Sequence, residues 1–194
     1  DYCGHGESEG SYETSTIGRW LADSLGVVDA LAAGERLLLV GSSMGGWIAL
    51  LAARALAARG EAGRLAGMVL IAPATDFTQE LMWPEMGEAA RAEMMATGRW
   101  MRPSDYAPEP YPITRALIEE GRRHLLFGAP VRTHCPVHIL QGMQDPDVPW
   151  RHARKLFESL AADPAVISYV KDGDHRLSRE EDLRLLVGAV ETMA

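Results

Sequence analysis

The run Leu65-Ala66-Gly67-Met68-Val69-Leu70-Ile71-Ala72 shows no alternation of polar and apolar side chains, so a strand built from it must be covered on both faces. Pro73 stops it. Comparable short apolar runs span residues 36–40, 137–141 (after Pro136) and 165–170. Longer stretches with helical spacing separate them. Residues 14–33 read as a helix with Ile17, Trp20, Leu21, Leu25, Val28 and Leu31 on one stripe, ended by Gly34. Residues 44–59 read as a helix closed by Gly60, and 149–160 as a helix with Pro149 in its first turn. The last helix is expected over 178–193, with Ser178 as N-cap and Glu181 completing a capping box. Strands that alternate with helices in this way fold as an α/β domain, a mostly parallel sheet with helices on both faces.

The rhythm breaks between Phe77 and Pro136. That stretch holds Met82, Trp83, Met86, Met94, Met95, Trp100 and Met101, and a proline cluster from Pro103 to Pro112. A helix, a hairpin-like segment and a second helix over 114–127 fit it. The expected organisation is a core of residues 1–77 and 136–194, with 78–135 inserted as a small cap. The 194 residues suit one hydrophobic core.

The formal charge of -8, with no basic run to offset it, argues against a nucleic-acid partner. No apolar run approaches the roughly 18 residues of a membrane span. Cys3 and Cys135 lie far apart without metal-ligand spacing and read as two thiols in a reducing compartment. No metal site is expected. The richness in alanine and arginine points to a bacterial chain and a cytoplasmic location.

The chemistry concentrates in Leu38-Leu39-Val40-Gly41-Ser42-Ser43-Met44-Gly45-Gly46-Trp47. A serine hydroxyl becomes a nucleophile when it is exposed, oriented and paired with a base. A sharp strand-to-helix turn presents it that way, and crowding there demands small residues two positions to either side, hence Gly-x-Ser-x-Gly. Framed on Ser43 the flanks are Gly41 and Gly45; framed on Ser42 they are Val40 and Met44, which fail. Ser43 is therefore the expected nucleophile and Ser42 its structural neighbour.

In this arrangement the partners follow in the order Ser, acid, His. They project from loops at the carboxyl ends of strands. Among His124, His134, His138, His152 and His175, only His175 follows directly on the last strand run. The loop before it, Gln141-Gly142-Met143-Gln144-Asp145-Pro146-Asp147-Val148-Pro149, offers Asp145 and Asp147. Both suit the acid by type, and one of them is expected to shape the turn instead.

Ser43, Asp145 and His175 in these settings resemble the α/β-hydrolase superfamily. Its common Gly-x-x-Asp-x-x-Val-Pro pattern is met by Gly142, Asp145, Val148 and Pro149, which favours Asp145 as the acid. The opening Asp1-Tyr2-x-Gly4-x-Gly6-x-Ser8 resembles the superfamily's fourth strand and the turn after it. Further blocks are similar to the mitochondrial acyl-protein thioesterase and acyl-glucuronide esterase family of animals and its bacterial relatives. They are Ser15-Thr16-Ile17-Gly18-Arg19-Trp20, Val40 to Trp47, Cys135-Pro136-Val137, Gly142-Met143-Gln144-Asp145, Val148-Pro149-Trp150 and Asp174-His175-Arg176.

The resemblance implies hydrolysis of acyl esters and thioesters through a serine acyl-enzyme. It implies no cofactor, a small-molecule or acylated-protein substrate, and a mitochondrial location for an animal chain. Met44 N–H at a helix start is expected to donate to the oxyanion. Trp83 and Met82 are expected substrate contacts, since flexible thioethers line adaptable apolar sites. The superfamily's first strands and second oxyanion donor have no counterpart in these residues. The expectation is a native protein with several dozen further N-terminal residues. Two other readings share the pattern: a carbon–carbon bond or lactone hydrolase with the same triad, and a non-catalytic binding protein of this fold.

Overall fold

A 3-10 turn at Tyr12–Thr14 leads into α1 (Ile17–Leu31), β1 (Leu37–Ser42), α2 (Met44–Ala58) and β2 (Leu65–Ile71). A π-helical turn, Thr78–Met82, runs into α3 (Trp83–Glu85), followed by α4 (Glu88–Thr97), β3 (Arg99–Arg102), β4 (Tyr111–Thr114) and α5 (Arg115–Gly121). Then come β5 (Val137–Gly142), α6 (Trp150–Ser159), β6 (Ala165–Val170) and α7 (Glu180–Met193). The structure is a computed structural model that describes residues 1–103, 109–160 and 162–194. The middle of the proline cluster, residues 104–108, lies outside the described residues.

The main sheet is parallel, in the order β1-β2-β5-β6. The side chains of β2 show why its sequence carries no polar alternation. Met68 and Leu70 enter one cluster with Leu50, Ala53 and Leu56 of α2 and Ala153 and Leu156 of α6. Val69 and Ile71 enter the other, with Ala189 of α7. Each face has its own helical cover, as a parallel sheet requires. Burying each such aliphatic side chain contributes about 1.5–3 kcal/mol.

The chain divides into two compact units. One comprises Asp1–Ser24 and Asp76–Leu125, the other Leu25–Thr75 and Leu126–Ala194. In the first, the rings of His5 and Trp20 contact each other, and each contacts both Tyr2 and Tyr12. Trp20 Nε1 donates to the Cys3 carbonyl at 3.1 Å. Burial pushes the Tyr12 hydroxyl up to about 12. A small core joins Met86, Met94 and Ile118 to Ile113 of β4, which pairs antiparallel with β3. Cys3 and Cys135 are free thiols.

Three local readings are corrected. The helix expected over 114–127 ends at Gly121, with Thr114 capping it by accepting from Leu117 N–H. Leu126 and Phe127 leave the helical path and pack against the larger core of the second unit, so burial overrides their helical spacing. In α7 the N-cap is Arg179, not Ser178, and the carboxylate that serves it is Asp182, not Glu181. Asp182 accepts from the Arg179 backbone N–H at 3.2 Å and from its Nε at 2.9 Å. The acid must stand three residues after the true cap, and the buried Asp182 is the one that does. In α6, Pro149 is the N-cap rather than a first-turn residue.

Candidate active site

Ser43 stands between the end of β1 and the start of α2, with φ 52° and ψ −119°. A non-glycine residue holds such dihedrals only where its surroundings over-determine them. Here the Ser43 N–H donates to the Ile71 carbonyl at 2.8 Å, and the Ser43 carbonyl accepts from Gly46 N–H at 2.9 Å and Ala74 N–H at 3.0 Å. Glycines on either side of Ser43, Gly41 and Gly46, have a steric cause. A Cβ on Gly41 would lie 2.3 Å from the Gly45 carbonyl oxygen, and one on Gly46 would lie 2.9 Å from Pro73 Cβ. Met44 opens α2, so its N–H is one of the helix's first donors, which have no partner within the helix.

The acid lies in the loop after β5. Asp145 has a fully buried side chain. Its Oδ1 accepts from the backbone N–H groups of Asp147 and Val148, each at 2.9 Å. Its Oδ2 accepts from His175 Nδ1 at 2.8 Å and from Gln141 Nε2 at 3.2 Å. Asp147 thus shapes the turn that holds Asp145.

His175 follows β6. Its Nε2 accepts from the Ser43 hydroxyl across 3.0 Å. The next turn is fixed by Asp174 Oδ1, which accepts from Arg176 and Leu177 N–H. The acid and histidine loops approach closely at Gly142, where a Cβ would lie 2.3 Å from the Asp174 carbonyl oxygen. Burial alone would push the imidazole toward its neutral form. The hydrogen bond and charge of Asp145, aided by Asp147 and Asp174, outweigh it and raise its pKa above the ordinary 6.5.

Ser43, His175 and Asp145 therefore form a continuous hydrogen-bonded relay, all within the second unit. His138 pairs instead with the Ser168 hydroxyl at 2.9 Å, and His152 Nε2 donates to the Thr75 carbonyl at 2.8 Å. Ser42 is an exposed end residue of β1. Asp145, Asp147 and His175 could offer ligand atoms to a cation, all within 4.8 Å of one another. Two of those three residues are already hydrogen-bonded to each other, His175 Nδ1 to Asp145 Oδ2 at 2.8 Å.

Met82 and Trp83 lie in the first unit, Met82 within the π-helical turn. Both pack against the Met86–Met94 core. The Arg91 and Arg122 guanidiniums lie 4.8 Å and 5.0 Å from the Trp83 ring centroid, and Arg91 Nη2 donates to the Trp83 carbonyl at 2.7 Å. Gln141 is a side chain of the site's hydrogen-bond network that sequence reasoning missed. Its signal was a polar side chain ending an otherwise apolar strand run, Ile139-Leu140-Gln141.

The model of the alpha/beta hydrolase family matches residues 1–188. The mitochondrial palmitoyl-protein thioesterase ABHD10 of Homo sapiens is 34% identical over 194 residues, covering 100% of this chain. The chain spans 61% of that relative's length. A crystal structure of a protein from Agrobacterium vitis S4 superposes with a TM-score of 0.95 at 50% identity, covering 100% of this chain and 74% of that one. Alpha/beta hydrolase domain-containing protein 10 from mouse gives a TM-score of 0.84 at 30% identity, over 99% of this chain and 74% of that one.

Proposed function

The chain belongs to the alpha/beta hydrolase family, and on that premise we propose that it cleaves carboxylic esters and thioesters through a serine acyl-enzyme. The observation that carries this reading is the unbroken relay from the Ser43 hydroxyl to His175 to Asp145 at a strained strand-to-helix turn. The name of the human relative supports the thioester side of the proposal.

In the proposed cycle Ser43 Oγ attacks the acyl carbonyl carbon while its proton passes to His175 Nε2. Asp145 holds the imidazole in the required tautomer and stabilises the imidazolium. The carbonyl oxygen gathers negative charge and is met by Met44 N–H at the positive end of α2. The tetrahedral centre collapses, the C–O or C–S bond breaks, and His175 returns the proton to the leaving alkoxide or thiolate. Water then attacks the acyl-enzyme, gives its proton to His175, and the acid is released with Ser43 restored. No step needs a cofactor.

Met82 and Trp83 remain proposed substrate contacts. The Trp83→Ala chain is expected to show a raised KM for long-chain esters and an unchanged KM for acetyl esters.

The test is turnover of short- and long-chain p-nitrophenyl esters, an acyl thioester and a lactone by wild type and Ser43→Ala. The expected result is ester and thioester hydrolysis that falls by about 10⁶ in the variant. Hydrolysis of the lactone alone, or full ester turnover by Ser43→Ala, would overturn the proposal.

A further inference from the structure

Behind the acid stands a fully buried amide, Gln141 at the end of β5. Its Nε2 lies 2.9 Å from the Gly142 carbonyl oxygen, 3.0 Å from the Val148 carbonyl oxygen and 3.2 Å from Asp145 Oδ2. Its Oε1 is buried with no donor among the described residues. The chemistry fixes this orientation, because turning the amide over would set its oxygen against three other oxygens. The two N–H groups are therefore shared among three acceptors, and Oε1 accepts from no donor among the described residues.

An unpaired buried amide oxygen is a standing cost to the fold. An apolar residue would fill the same space without that cost, as Val137, Ile139 and Leu140 do along the same strand. What an apolar residue cannot supply is the pair of hydrogens. Those hydrogens tie three points together: the strand end at Gly142, the far side of the acid loop at Val148, and the carboxylate oxygen that meets His175. The two backbone donors to Asp145 act on Oδ1 only, so Gln141 is the side-chain donor that shares Oδ2 with the imidazole.

We propose that Gln141 is a positioning residue for the relay, holding the Asp145 loop against the end of β5 and setting the direction in which Oδ2 meets His175. This rests on the hydrolase reading of Ser43, Asp145 and His175. Gln141 touches no reacting atom and acts only through Asp145.

Gln141→Met keeps an unbranched side chain and removes both donors. Its kcat should fall about 10- to 100-fold at nearly constant KM, the loss typical of groups that orient a ligand from behind. The titration of His175, followed by NMR on histidine-labelled protein, should move upward, because the Oδ2 charge is then shared with one donor fewer. A merely space-filling Gln141 would not move that titration. In the wild type the Gln141 side-chain NH2 resonances should shift with the His175 midpoint, a measurement that needs no variant to fold.

A kcat within twofold of wild type with an unmoved His175 titration would overturn the proposal. So would Gln141 NH2 resonances that ignore the titration. A wild type that hydrolyses no ester and takes no fluorophosphonate at Ser43 would instead overturn the hydrolase reading. The NMR measurements remain readable in that case and judge the Gln141–Asp145 bond separately.

Discussion

Asp145 and Asp147 are two residues apart in one loop, and spacing alone assigns neither of them a role. Three dimensions separate them: Asp145 Oδ2 meets His175, while Asp147 gives its backbone N–H to Asp145 Oδ1. Only the Val148–Pro149 pattern of the superfamily singled out Asp145 in the sequence. Gln141 stayed hidden because its importance lies in contacts to Gly142, Asp145 and Val148 that no periodicity encodes. Asp145→Asn should lower kcat by about 10⁴, since an amide facing Nδ1 favours the wrong imidazole tautomer, while Asp147→Asn keeps its backbone donor and most of the activity. Steady-state kinetics on the two variants check this.

The His175 pKa, raised above 6.5 in the folded chain, sets a pH dependence of definite sign. The proposed mechanism needs the neutral ring, so kcat/KM should fall as pH drops through the raised value. Stability runs the other way. The folded state binds the proton more tightly, so this contribution is fully present below the unfolded value and is lost as pH rises through the folded one. Activity should therefore climb while this part of the stability fades. Thermal midpoints against pH for wild type and His175→Gln should show that slope in the wild type and its loss in the variant.

At the scale of elements, the site is built where three strands end, and the turns after β1 and β5 depend on close backbone approach. Gly-x-Ser-x-Gly was legible because its steric demand is local: Gly41 faces Gly45 four residues on. The role of Gly142 was not, since its crowding partner is the carbonyl of Asp174 in another loop. Gly142→Ala should push the acid and histidine loops apart, costing about 1–3 kcal/mol of stability by overpacking. It should also lower kcat, and denaturant melts with kinetics on the same sample test both. The misplaced end of α5 and the shifted cap of α7 have the same origin. Burial of Leu126, Phe127 and Asp182 decided them, and burial is a tertiary quantity.

For the molecule as a whole, the fold class was readable from β2, whose unbroken apolar run demands cover on both faces. The pairing of distant segments was not readable. Gly18 N–H donates to Glu120 across 102 residues of sequence, and no local signal announces such a contact. The described chain holds one small core around Met94 and Ile118 in the first unit and larger clusters in the second. Leu56→Ala should destabilise the second unit by about 2–5 kcal/mol. Met94→Ala should cost the first unit a similar amount yet leave Ser43 reactive toward a fluorophosphonate below the melting range. Every residue of the relay and its hydrogen-bond partners belongs to the second unit.

The central claim is that Ser43, and not its neighbour Ser42, is the activated nucleophile. Reaction with a fluorophosphonate followed by peptide mass spectrometry tests it most directly. One adduct on Ser43 is predicted, retained in Ser42→Ala, slowed by orders of magnitude in His175→Gln and absent in Ser43→Ala. An adduct on Ser42, or undiminished labelling of Ser43→Ala, would contradict it.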